Sequence, residues 1–95
     1  LEDIAIMSVL PNMVIISPAD PLEVEEAVFA AMEHKGPVYI RITLSSTPLD
    51  YTRGQFKIGN ARIVKKGNDA AIIATGDMVS IAKEASVVLK KNNIN

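Results

Sequence analysis

The apolar run Met13-Val-Ile-Ile16, closed by Pro18 and followed at once by Asp20-Pro21, constrains this chain more than any other feature. A continuous aliphatic run of this length suits a strand covered on both faces, as in parallel α/β sheets. Pro18 ends it, so a strand is expected over about 13–17. Asp20 then stands at a helix N-cap, with Pro21 at the first helical position and Glu23 three residues after the cap. That spacing is a capping box, with carboxylates facing the orphan N–H groups and the positive end of the helix dipole.

The helix so begun is expected from about 21 to 34. Val24, Ala27, Val28 and Ala31 recur on one stripe, while Glu23, Glu26 and Glu33 point elsewhere. His34, Lys35 and Gly36 supply a C-terminus, with positive charge near the negative dipole end and glycine beyond. Pro37 then opens a second strand, Val38-Tyr-Ile-Arg-Ile42. Strand, helix and strand in this order predict a right-handed βαβ unit. Before it, Ile4, Met7 and Leu10-Pro11 predict a short helix that stops at the proline.

Residues 45–57 break the periodicity with Ser45, Ser46, Thr47, Pro48, Asp50, Thr52, Arg53 and Gly54. This polar stretch is longer than most connections in a compact domain and reads as a linker between two units, 1–44 and 58–95. Past it, 61–64 and 70–74 flank Lys65-Lys-Gly-Asn-Asp69 and predict an antiparallel hairpin. A last helix is expected over about 78–91, with Val79, Ala82, Ala85, Val88 and Leu89 as its buried stripe.

Composition narrows the function classes. The chain has 95 residues, 48% of them hydrophobic and 4% aromatic, and 10 basic against 11 acidic side chains for a net charge of −1. No basic field recruits nucleic acid. Without cysteine, disulfides and thiolate metal sites are excluded, and His34 is the only histidine. The apolar runs are too short to span a bilayer, so no membrane partner is expected and a cytoplasmic protein is the default. A chain of this size hides only roughly 60–65% of its extended surface, which predicts marginal stability in isolation. Both ends run straight into patterned sequence, and the chain reads as a piece of a longer polypeptide.

Few residues suggest chemistry. Arg41 sits near the carboxyl end of an apolar strand, where ligands of open α/β sheets gather, and guanidinium suits phosphate or carboxylate. The other reading pairs it with a carboxylate from a neighbouring segment. Thr75-Gly-Asp77 joins a strand to a helix and could face an anion, but Asp77 already fills that position as an N-cap. His34 has no partner at a telling spacing, and the adjacent Glu2 and Asp3 cannot face each other on a helix. Asp20 and Glu23 are accounted for by capping. Lys65, Lys66, Lys90 and Lys91 read as solvated surface.

Four pieces taken in order resemble the C-terminal section of transketolases, above all the separate C-terminal subunit of split transketolases. They are Glu2-Asp-Ile-Ala5 leading to Leu10-Pro-Asn12, Ser17-Pro-Ala-Asp20 with Glu23, Gly36-Pro-Val-Tyr-Ile-Arg41, and Ile58-Gly-Asn-Ala61 through Lys66-Gly-Asn-Asp69 to Ala74-Thr-Gly-Asp-Met-Val79. The resemblance implies an α/β fold: the last βαβ part of a thiamine-diphosphate-binding pyrimidine domain (1–44), a linker (45–57) and the start of a transketolase C-terminal domain with a mixed sheet (58–95). It implies a parent transferase that moves a two-carbon ketol unit between sugar phosphates, using thiamine diphosphate and a divalent metal such as Mg. Its partners would be an N-terminal transketolase section or subunit and further copies of itself. Of the site residues only Arg41, as a substrate contact, would lie here. The catalytic, cofactor and metal groups would lie elsewhere, so this stretch alone should be inactive and bind no cofactor.

The chain also departs from the pattern. Leu44 and Ser8 stand where the family commonly has arginines, the former gripping the substrate phosphate. These losses bear on the sugar-phosphate substrate and leave fold and cofactor class untouched. The alternatives are the matching segment of a deoxyxylulose phosphate synthase or 2-oxoacid dehydrogenase, and a non-catalytic α/β interaction module.

Overall fold

In a computed structural model, described here for residues 2–43, 49 and 52–95, the chain forms three helices and two short strands. They run α1 (Asp3–Ser8), β1 (Val14–Ile16), α2 (Pro21–Glu33), β2 (Val38–Ile40) and α3 (Met78–Lys91). The strands pair in parallel with Val14 opposite Val38, Ile15 opposite Tyr39 and Ile16 opposite Ile40. Two more backbone bonds bracket the ladder, Val14 N–H to Pro37 C=O at 3.0 Å and Arg41 N–H to Ile16 C=O at 2.9 Å. The expected βα unit and its parallel return strand are therefore formed, and the chain is α/β.

Local chemistry explains the punctuation. The turn from α1 to β1 closes with Met13 N–H on Leu10 C=O at 3.3 Å. Pro11 is its second residue, and Asn12 is the third, at φ 59°. That is the residue order a type II turn asks for, since asparagine tolerates the left-handed region. At the start of α2, Asp20 is extended and its Oδ1 accepts Glu23 N–H at 2.8 Å. Glu23 reaches back one residue further than a simple box requires, its Oε2 accepting Ala19 N–H at 2.9 Å. The other end of α2 is plainer than expected. The helix stops at Glu33, His34 is extended, and Lys35 lies past the last turn, which holds no basic residue.

Among the described residues the buried apolar side chains include Ile16, Pro18, Ala19, Ala27 and Leu49. Leu49 comes from the stretch read as a linker; Leu44, Ser45–Pro48, Asp50 and Tyr51 lie outside the described residues, and with them most of that stretch. On α2 the inward face is Ala27 flanked by Val24 and Ala31, while Val28 is exposed. Glu23 does not point outward: it is 9% exposed, and Glu26 is half-buried.

The second half departs most from expectation. Among the described residues from 52 to 77 there is no strand, and the hairpin expected over 61–64 and 70–74 is not formed. Ile63 is 73% exposed and Ile73 94% exposed, so these two apolar side chains are left largely uncovered. A two-stranded hairpin without a covered face is marginal in water. The intended turn engages other groups instead: Asn68 N–H bonds Asn95 C=O, and Asp69 Oδ2 accepts Asn95 N–H at 2.7 Å.

α3 forms over the range its periodicity gives, but no residue on it is fully buried. Ala85 and Val88, placed in the buried stripe by periodicity, are exposed; Val79, Ala82, Ser86 and Leu89 form the half-buried side. That side borders an open cleft of about 710 Å³ between β1 and the second half, lined by Ile16, Phe56, Ile63, Ile72, Val79 and Leu89 among others.

Candidate functional site

Three clusters of polar side chains stand out among the described residues. The first joins α1 to β2. Tyr39 and Arg41 alternate along one side of the extended chain, as the two-residue period of a strand requires. Asp3, in the first turn of α1, meets both: the Tyr39 hydroxyl donates to Asp3 Oδ2 at 2.9 Å, and Arg41 Nε lies 3.2 Å from the same oxygen. The Tyr39 hydrogen bond, then the Arg41 charge, hold the Asp3 carboxyl below the usual aspartate range against a partial desolvation that works the other way. The same bond, with desolvation, pushes the Tyr39 phenol up. The Arg41 side chain is 35% exposed.

The site residue inferred from sequence is thus held by a carboxylate from a neighbouring segment through Nε. A second feature of this cluster was missed. Asp3 was read only as a neighbour of Glu2, although two polar side chains on one side of an apolar strand call for a partner on the element that covers it.

The second place is the carboxyl end of the strands, where α3 begins. Gly76 N–H donates to Ser17 C=O at 3.2 Å. Gly76 has φ +56°, and a Cβ there would come within 2.9 Å of Ser17 Oγ. Asp77 stands at the N-cap position, yet it has helical dihedrals and its side chain caps nothing. Its Oδ1 accepts the Thr43 hydroxyl instead, which ties the segment just after β2 to the start of α3. The expected capping role of Asp77 is therefore corrected: a tertiary partner has taken the carboxylate. With that carboxylate in place, the turn is not an anion cradle.

The third place surrounds the first two turns of α2, where Glu23 and Glu26 meet Arg62. Among the described residues no group of three or more His, Cys, Asp or Glu is placed to hold a metal ion. His34 packs near Gly36, and Lys65 is less free than expected, its Nζ donating to Ser86 C=O at 2.9 Å. No helix of the described residues is long and apolar enough to cross a membrane.

The model of the transketolase pyrimidine binding domain matches residues 1–48, the part that holds α1, β1, α2 and β2. This chain belongs to the transketolase family. Relatives agree along its whole length. A Methanocaldococcus jannaschii protein, provisionally named a transketolase C-terminal section, is 41% identical over 97 residues, covering 99% of this chain and 31% of that protein. A 1-deoxy-D-xylulose-5-phosphate synthase of Symbiobacterium thermophilum is 32% identical, over 98% of this chain and 15% of its own length. Among solved structures, a split-gene transketolase described as an inactive β4 tetramer superposes with TM-score 0.91 at 39% identity. It matches 98% of this chain with 31% of its own. The chain therefore spans under a third of these transketolase relatives. The family is thiamine-diphosphate-dependent in general.

Proposed function

We propose that this chain is a scaffold section of a thiamine-diphosphate-dependent, transketolase-like transferase that moves a two-carbon ketol unit between sugar phosphates. It has no activity alone, binds no cofactor alone, and works with an N-terminal transketolase section or subunit inside an oligomer in the cytoplasm. Residues 1–44 belong to the pyrimidine-binding domain, 45–57 to a linker and 58–95 to the following domain. The carrying observation is the match of residues 1–48 to the pyrimidine domain. The split-gene neighbour, a β4 tetramer described as inactive, supports the dependence on a partner. Asp3 with Tyr39, Thr43 with Asp77, and Glu23 and Glu26 with Arg62 are engaged in structural bonds, which suits a scaffold.

Arg41 is the substrate contact in this reading. With its Nε on Asp3, the rest of a half-exposed guanidinium can meet an anionic substrate group. In the full-length enzyme, Arg41→Ala should raise KM for the phosphorylated sugar roughly ten-fold, as the loss of one charge-assisted hydrogen bond implies, with kcat little changed. An unchanged KM would remove Arg41 from the site.

The scaffold reading is tested by mixing residues 1–95 with an intact N-terminal subunit, thiamine diphosphate and Mg²⁺, and following ketol transfer. No turnover is expected, while the full-length polypeptide in the same mixture should be active; clear turnover with the short chain would overturn the reading. The identity to a deoxyxylulose phosphate synthase sustains a second reading, distinguished by its product, a 1-deoxy sugar phosphate.

A further inference from the structure

Residues 52–62 carry no helix or strand, yet they lie against α2 through bonds to three of its carboxylates, Glu23, Glu25 and Glu26. Glu26 Oε1 accepts Gly54 N–H at 2.5 Å, and its Oε2 accepts Phe56 N–H and Arg62 Nη2, both at 3.2 Å. Glu23 Oε1 lies 3.5 Å from Arg62 Nε, while its other oxygen holds Ala19 N–H. The three side chains are 12–14% exposed, which sets them apart from the Arg53–Glu25 pair beside them at 70% and 47%. An exposed pair of that kind contributes little. A buried one is costly to break, because the partner left behind stays charged without water.

We infer that Glu23, Glu26 and Arg62 form a clasp that positions the segment 52–62, and through it the second half of the chain, on the first. Elements with their own ladder or helix need no such device. This segment has neither, and two of its backbone N–H groups, those of Gly54 and Phe56, find their acceptors on Glu26. The clasp borders the open cleft: Glu23 and Arg62 both line it, as do Phe56 and Ile63. Loss of the clasp should therefore free the segment while the βαβ unit stays formed. Nothing in this inference depends on the catalytic reading given above.

The test is residue-resolved amide hydrogen exchange on the full-length polypeptide. In Glu26→Ala, the amides of Gly54 and Phe56 should exchange at least ten-fold faster. Those of Val24 and Arg41, which bond Asp20 C=O and Ile16 C=O, should keep their rates. Glu26→Gln retains one acceptor oxygen and should keep one of the two amides protected. Unchanged exchange at Gly54 and Phe56 would overturn the clasp. Should Glu26→Ala speed every amide together, the pair Glu26→Gln, Arg62→Gln removes the stranded charge. The clasp requires that this pair restore Val24 and Arg41 and leave at least one of the Gly54 and Phe56 amides fast; uniform loss in both variants would overturn it.

Discussion

The hydroxyl of Tyr39 donates to Asp3 Oδ2 at 2.9 Å, which ties the middle of β2 to the first turn of α1. Arg41 Nε shares that oxygen at 3.2 Å, so one carboxylate organises two side chains of the return strand. Because the folded state depresses the Asp3 carboxyl, chiefly through the Tyr39 bond, its contribution is fully present above the ordinary aspartate range. It is lost as pH falls below about 4 and through the depressed value. The acid limb of the stability curve should therefore be shallower in Asp3→Asn than in the parent sequence. Denaturant melts between pH 6 and pH 2.5 measure it, and identical acid limbs would refute the linkage.

The Tyr39 phenol titrates in the opposite sense. Its folded value is raised, so its contribution is present below about pH 10 and is lost as pH rises through the folded value. The difference in ultraviolet titration between the parent sequence and Tyr39→Phe should place this phenol above the ordinary tyrosine range. Asp3→Asn should bring it back down.

Asp20 uses both of its oxygens. Oδ1 caps α2 through Glu23 N–H, and Oδ2 accepts the backbone N–H of Leu49 at 3.0 Å, with the residue 3% exposed. Asp20→Ala removes a cap and strands a buried donor together, a loss of about 2–4 kcal/mol. Asp20→Asn retains one acceptor and should lose clearly less. Equilibrium unfolding of the full-length polypeptide compares the two, and equal losses would mean that only one oxygen matters.

Gly76 combines a left-handed backbone with a close neighbour. Gly76→Ala should destabilise by about 1–2 kcal/mol from the positive φ alone, with more from the 2.9 Å approach to Ser17 Oγ. Ser17→Ala in the same background should recover the second part and leave the first. If the double variant is no more stable than Gly76→Ala, the contact is not the source.

Much of the first half was legible because its signals are local. Pro18 and Pro21, the Asp20–Glu23 spacing and two short β-branched runs each act over a few residues, and βαβ connectivity follows from their order. α3 was legible for the same reason, its periodicity being enough to place a helix from Met78 to Lys91. Which side of α3 would be buried was another matter. Periodicity nominates a stripe, but burial needs a partner surface, and Ala85 and Val88 have none here.

The same distinction covers the polar residues. Glu23 was placed correctly as a capping residue, and Asp20 as an N-cap, from spacing alone. That Glu23 and Glu26 also receive Arg62, and that Asp20 receives Leu49, was not legible. Those partners lie 29 to 39 residues away in the numbering, and no local pattern marks them. Arg41 was singled out by its place in an apolar strand, but the residue that orients it, Asp3, could be named only once α1 was seen against the sheet.

The amino-acid sequence by itself therefore determined the three helices, the two strands that form, their parallel pairing and the family, since each rests on short-range stereochemistry or on ordered motifs. Only the tertiary structure decided how the carboxylates are used and whether 61–64 and 70–74 become strands. The carboxylates go to whichever donors folding brings within hydrogen-bond reach. The strands need a covering surface that desolvates their apolar side chains, and without it the chain keeps its backbone in water.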